Sequence, residues 1–296
     1  SMDNAALFAE HRSTMLGAAY RILGSRDDAE DVVQDAWETW SRIDPTTVDS
    51  PRAFLGVMAS RLALNEVRSQ ARRRETYIGP WVPEPIVDDA SPEWRALHLD
   101  GLGQALDFVL STLTPEQATA YVLRKVLDVD YASIADVLET SPTAARQQVS
   151  RAQRAVSAAL GDLDETALVH DARALAALAD AVTTGDITVI TALLAPDAVL
   201  YSDGGGKANA ARRPILGPDR IARFLIGLAT ERAMQVVPTL INGGPGALVI
   251  EAGVVTTTIT LARSADGIRT LLFVRNPDKL AAIPTPAKPI IAANTS

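Results

Sequence analysis

The sequence predicts a multidomain chain in which two all-α helical domains precede an α+β domain. Three observations carry this reading. Apolar residues recur at helical spacing through about residue 160. A proline-rich stretch with Pro80, Pro83, Pro85 and Pro92 interrupts them. After Asp164 the pattern turns to short aliphatic and β-branched runs separated by Gly, Asn and Asp. The expected divisions are helical domains over 2–75 and 102–160 with a linker over 76–101, then an α+β domain over 166–280. A tail over 281–296, rich in Pro and Ala, is expected to be disordered.

Composition narrows the chemistry. The absence of cysteine among 296 residues excludes disulfides, thiolate metal sites and cysteine nucleophiles. The three histidines, His11, His98 and His170, are far apart in sequence, which argues against a histidine metal centre or a Ser-His-Asp triad. No catalytic residues, metal or cofactor are expected. No apolar run approaches the roughly 18 residues that span a bilayer, and no signal peptide opens the chain, so a cytoplasmic protein without membrane association is expected. A net charge of −8 argues against indiscriminate coating of nucleic acid. The charge is unevenly spread, however: Asp27 to Glu38 holds six acids and no base, whereas Arg52 to Glu75 holds six arginines and two glutamates.

In chain order, Leu7, Phe8 and His11 to Tyr20 begin a first helical unit. Asp27 to Trp40 continues it, with Ala29, Val32, Val33, Ala36, Trp37 and Trp40 on one face. That helix turns Asp28, Asp31, Gln34, Asp35 and Glu38 outward, either as a solvated acidic face or, with its two tryptophans, as anchor and charge for a basic partner. Ser50-Pro51 opens a helix that runs to Arg72–Arg74. Arg61, Asn65, Arg68 and Arg72 share one face of it, a basic stripe suited to phosphates with an amide suited to a base edge. The stripe contains no aromatic residue to stack on an unpaired base; Phe54 and Tyr77 lie nearby.

The second helical unit has a start signal at Thr114-Pro115 and ends in a helix-turn-helix pattern. Tyr131, Ile134, Ala135 and Leu138 form the stripe of one short helix; Ser141 and Pro142 then cap and open another. In the second helix Ala145, Val149, Ala152 and Val156 fall in one arc. Thr143, Arg146, Gln147, Ser150, Arg151 and Arg154 fall in the opposite one, a composition that suits the major groove of DNA. The other reading is the polar face of an ordinary helical hairpin.

Beyond Asp164, helices are expected over Leu168–Thr183, Ile187–Leu194 and Gly217–Leu228. Strands are expected over Ala198–Ser202, Met234–Ile241, Ala247–Glu251, Val254–Ala262 and Ile268–Arg275.

The order of parts, acidic Trp-bearing helix, basic stripe, proline-rich linker and helix-turn-helix, resembles bacterial sigma factors of the extracytoplasmic-function type over about residues 6–160. The segments LTPEQATAYVLRKVLDVDYASIADVLETS and SRAQRAV add to the resemblance. It implies that 2–75 is region 2, whose acidic helix (Asp28, Asp31, Gln34, Asp35, Trp37 and Glu38) docks on core RNA polymerase. Its basic helix (Arg61, Asn65, Arg68, Arg72, Arg73 and Arg74) would recognise the −10 element of promoter DNA. It further implies that 102–160 is region 4, whose last helix reads the −35 element.

The remainder resembles the subgroup with a fused SnoaL-like domain through WVPEP (Trp81, Pro83), DGGGK (Asp203, Gly204, Gly205, Gly206, Lys207) and NPDKL (Asn276, Pro277, Asp278, Lys279, Leu280). That resemblance implies an α+β cone regulating the sigma part in cis. The three motifs are expected to lie near one another, with Asp203 and Lys207 supplying opposite charges, although DGGGK and NPD also read as plain turns. Asp203 and Glu251 as acids, with Lys207 or Arg275 as anion binder, would be the elements of an enzyme, but the carboxylates show no paired spacing. A small ligand in this domain, and a stand-alone ligand-responsive regulator, are the remaining alternatives.

Overall fold

In the computed structural model the described residues are 4–87, 93–94, 103–161, 165–231 and 234–286, and the described side chains exclude 71–74, 165–168 and 231. The side chains of Arg72, Arg73 and Arg74, most of the expected linker beyond residue 87, and the expected tail beyond residue 286 therefore lie outside them. The described chain forms two compact units. One holds 4–76, 93–94 and 106–161; the other holds 77–87, 103–105 and 165–286.

The first unit is helical. It comprises α1 (Asn4–Leu23), α2 (Arg26–Trp40), a 3₁₀ turn at Pro45–Thr47, α3 (Pro51–Glu75), α4 (Gly103–Thr112, from residue 106 onward), α5 (Pro115–Tyr121), α6 (Tyr131–Leu138) and α7 (Pro142–Leu160). Leu16, Leu23, Leu55, Leu64, Leu106, Leu110 and Ile134 are fully buried; each such side chain is worth about 1.5–3 kcal/mol relative to exposure. Side-chain caps set the helix starts. Ser25 accepts from the Asp28 N–H, and Thr114 with Gln117 forms a reciprocal capping box. Between α5 and α6 the chain widens into a π turn, Val122–Val126, closed by the Leu127 N–H on the Val122 carbonyl at 3.1 Å.

Two aromatic residues depart from the sequence reading. Trp40 is fully buried, its indole N–H donating to the Asn4 carbonyl at 2.9 Å, so it is core and not a partner anchor. Trp94, expected in the linker, is 2% exposed, packs edge-on against Tyr20 and donates to Glu30 at 3.2 Å. An indole N–H needs a partner when buried, and both find one across long sequence separations.

The second unit is a six-stranded sheet in the order β2-β1-β6-β5-β4-β3: β1 (Leu194–Asp203), β2 (Ile215–Leu216), β3 (Gln235–Ile241), β4 (Gly244–Glu251), β5 (Val254–Ser264) and β6 (Gly267–Val274). β3 to β6 form the expected antiparallel meander, but β1 runs parallel to β6. Pro196 offers no ladder donor, and the β1 register shifts between Leu194 and Val199, around it. One face is covered by α8 (Glu165–Thr184), α9 (Ile187–Leu193) and α10 (Pro218–Glu231), burying Leu178, Ile190, Leu225, Leu271 and Phe273. Val237, Ile241, Leu248 and Ile250 form a second cluster with Val87, which bridges to Ile241. A short helix, α11 (Pro277–Leu280), follows β6. This architecture, helical domains followed by an α+β domain, is the one the sequence predicts.

Candidate functional site

Three surfaces gather the residues singled out by sequence. The first is the helix-turn-helix. α6 starts on Asp130, whose side chain accepts from the Ser133 N–H at 2.9 Å and its hydroxyl at 2.8 Å; these contacts hold the Asp130 carboxyl below its ordinary range. It ends on Glu139 in the left-handed conformation (φ 55°), and the Glu139 and Thr140 N–H groups both close on the Ala135 carbonyl. Ser141 then caps α7, accepting from the Ala144 N–H at 3.2 Å. This anchors a helix whose Ala145, Val149, Ala152 and Val156 are buried, while Thr143, Arg146, Gln147, Ser150, Arg151 and Arg154 are all exposed. The Arg146 guanidinium rests 4.7 Å from the Tyr131 ring centroid, which orders it without consuming its fork of donors.

The second surface belongs to α2 and α3. Asp31, Gln34, Asp35 and Glu38 are exposed; Asp28 is half-buried and accepts from the Gln70 amide at 3.1 Å. Trp37 is half-buried, edge-on against Phe8 at 5.0 Å. On α3, Arg61, Asn65 and Arg68 are exposed. Two of them are engaged by the later helices of the same unit. Arg68 donates through Nε and Nη2 to Glu116 at 3.1 and 2.9 Å, and Arg61 donates to the Asp136 carbonyl at 3.2 Å.

The third surface is a clasp in the second unit, centred on Asp203 at the end of β1. Asp203 is fully buried. Its Oδ1 accepts from the Tyr77 hydroxyl at 2.5 Å; its Oδ2 accepts from the Val82 N–H at 2.8 Å and the Lys279 ammonium at 2.7 Å. The carbonyl of Asp203 accepts from the N–H groups of Arg275 and Asn276. Asn276 in turn donates to the Tyr77 oxygen at 2.9 Å, and Lys279 lies 4.2 Å from the Trp81 ring centroid. Three donors on one buried carboxylate satisfy the charge that burial would otherwise penalise. Burial and the adjacent carboxylate push the Tyr77 phenol well above its ordinary range. Gly205 (φ 57°) is needed here, since a Cβ would lie 2.3 Å from the Asn276 amide.

Trp81, Asp203, Gly205, Asn276 and Lys279 thus come together, and Pro83 accepts from Gln104 at 2.8 Å. The opposite charges of Asp203 and Lys207 are each turned to the 276–280 segment: Lys207 pairs with Asp278 on the surface, and Asp203 with Lys279. Tyr77, considered for stacking on an unpaired base, has its hydroxyl committed to the clasp; Phe54 remains 39% exposed. Sequence reading missed Gln104 and Asn242. Asn242 exchanges two hydrogen bonds with Ile86, at 2.8 Å to its side chain and 2.7 Å from its backbone. Only the Asn-Gly turn signal at 242–243 pointed there. Among the described residues, no cluster of His, Cys, Asp or Glu is arranged to hold a metal ion, and no helix is long and apolar enough to cross a membrane.

Comparison with known proteins agrees with this geometry. A model of sigma-70 region 2 matches residues 7–73, and one of sigma-70 region 4 matches 103–156. The chain is 37% identical to the ECF RNA polymerase sigma factor SigJ of Mycobacterium tuberculosis, over 94% of this chain and 93% of that protein. The chain belongs to the extracytoplasmic-function sigma factors. This sigma factor is also 26% identical to the probable sigma factor SigI of the same organism, over 82% of its length and 83% of the relative's. The crystal structure of SigJ superposes on it with a TM-score of 0.76 at 32% identity, covering 95% of this chain and all of that one. As a sigma factor it is not an enzyme: it binds core RNA polymerase and directs initiation at promoter DNA.

Proposed function

We propose that the sigma part reads a two-element promoter and that the SnoaL-like domain regulates it in cis by gripping the linker. In this reading the exposed face of α7 (Thr143, Arg146, Gln147, Ser150, Arg151, Arg154) reads the −35 element. The α3 stripe (Arg61, Asn65, Arg68 and Arg72–Arg74) serves the −10 element, and the acid face of α2 with Trp37 docks on the polymerase in the cytoplasm. The observation that carries the regulatory half is the Asp203 clasp. Residues 77–87 continue directly from α3, and their polar anchors lie in the loops and strand ends of the SnoaL-like unit: Asp203, Asn242, Asn276 and Lys279. Whatever holds this segment sets the length of tether between the two DNA readers.

The contacts of Arg61 and Arg68 with Asp136 and Glu116 support the same reading. Helices that touch cannot sit on DNA elements separated by more than a turn of duplex, roughly 34 Å. Promoter binding then requires these contacts to open, and a shortened tether resists opening. The test is transcription with purified core polymerase. Asp31→Lys with Asp35→Lys is expected to lower polymerase affinity at least tenfold with stability unchanged; unchanged affinity would remove the docking role of α2. Lys279→Met is expected to change promoter-directed output severalfold without changing polymerase affinity, and unchanged output would remove the clasp from regulation.

A further inference from the structure

The SnoaL-like unit holds a partly open cavity of about 200 Å³ between the sheet and helices α8 and α10. The register divides its sheet wall into two rows. Ala247, Ile259 and Phe273 form an apolar row, and Leu178 and Leu225 close over the same space. One step along the strands the row becomes Val249, Thr257 and then Arg275, just past the end of β6. Arg275 is 8% exposed, and its guanidinium donates to the Asn209 carbonyl. The cavity is thus apolar at one end, and both charged residues that line it, the buried Arg275 and Glu251, lie toward the other. Glu251 is the other charged residue lining it. It is more exposed, stands at the hairpin end of β4, and accepts from the Thr256 hydroxyl at 3.0 Å.

We propose that this cavity binds a small aliphatic monocarboxylate, its chain along Ala247, Ile259 and Phe273 and its carboxylate against Arg275. Size, polarity and charge each restrict the ligand. The volume is that of about seven waters at roughly 30 Å³ each, which admits a ligand on the order of ten non-hydrogen atoms. An apolar wall with a few convergent polar groups is the ordinary character of a small-molecule site. A planar guanidinium matches a carboxylate in a two-point hydrogen bond, and burial strengthens the attraction. The far end, closed by Leu178 and Leu225, offers a second acid function no polar partner and so selects one acid function over two.

The site lies one residue from the clasp. Arg275 lines the cavity, while the next residue, Asn276, holds Tyr77; both backbone N–H groups bond to the Asp203 carbonyl. A ligand that fixes Arg275 therefore acts on the strand end that positions the linker.

The test is calorimetric titration of the full chain with octanoate, octan-1-ol, octylamine and octanedioate, which needs no polymerase and stands apart from the transcription assay. Octanoate is expected to saturate at one per chain and to bind tenfold or more tighter than octylamine or octanedioate. Arg275→Met is expected to weaken octanoate at least tenfold and octan-1-ol less than threefold, and Ala247→Phe to abolish both. Non-saturating octanoate uptake, octanoate no tighter than octylamine, or octanoate binding unaffected by Ala247→Phe would overturn the proposal. Should Arg275→Met fail to fold, the order of the four probes on the unaltered chain decides it.

Discussion

Carboxylates in two regions of this protein have opposite circumstances. On α2, Asp31, Asp35 and Glu38 stand in water, in a helix whose first turn also carries Asp27 and Asp28. At the end of β1, Asp203 is sealed from water and surrounded by a phenol, a backbone N–H and an ammonium. The first arrangement leaves charge free for an outside partner and contributes little to folding. The second commits its charge internally and makes each partner dependent on the others. An exposed acid face is a recognition surface, and a buried acid is a joint.

The largest effect that follows is at Asp203. Asp203→Ala leaves Lys279 beside Trp81 and Tyr77 without its carboxylate, and breaking a buried pair from one side costs about 3–5 kcal/mol. Denaturant unfolding of the full chain measures this, and a loss below 1 kcal/mol would mean that the clasp is not a joint. On α2, by contrast, Asp35→Asn is expected to stay within about 0.5 kcal/mol of the parent.

Asp130 is an intermediate case, an exposed acid with an internal task. Its side chain caps α6, and loss of such a cap costs about 1 kcal/mol. Asp130→Ala is expected to lower stability by that amount, and Asp130→Asn by less, because the amide oxygen still accepts from Ser133. Since its carboxyl is held below the ordinary value, its contribution is present at neutral pH and fades as pH falls through the folded value. Equal stability of the alanine and asparagine variants would show that the cap is idle.

Much of this contrast was legible from residue order alone, and the illegible part has a common physical origin. The buried arc Ala145, Val149, Ala152 and Val156 and the caps Ser141 and Thr114 are local consequences of helical periodicity and of unsatisfied first-turn N–H groups. The meander β3–β6 was legible from its Asn-Gly and Gly turns. What sequence could not decide were choices between equivalent local candidates settled far away along the chain. Trp37 and Trp40 share a helix face, yet only Trp40 meets the Asn4 carbonyl. Lys207 is four residues from Asp203, yet Lys279, seventy-six residues on, meets it because β6 returns parallel to β1. The Arg68–Glu116 pair is of the same kind.

The smallest predicted effect tests whether partial burial gives a partial version of the Asp203 situation. Asp171 on α8 is about half-buried, and burial raises its carboxyl to about 6 despite opposing contributions from Arg263 and His170. A folded state that holds its proton more tightly than the unfolded chain loses stability as pH climbs from the ordinary carboxylate value toward 6, and loses no more above it. Water still reaches such a group, so the deficit at neutral pH is small, ~0.5 kcal/mol after allowing for screening. Asp171→Asn is expected to raise the unfolding temperature by a degree or two at pH 7.5, consistent with ~2–4 °C per kcal/mol in a domain of this size. At pH 3.5 the two chains should unfold together. An asparagine variant less stable than the parent at both pH values would mean that Asp171 is satisfied internally, as Asp203 is, and that the divide between joint and surface runs through α8.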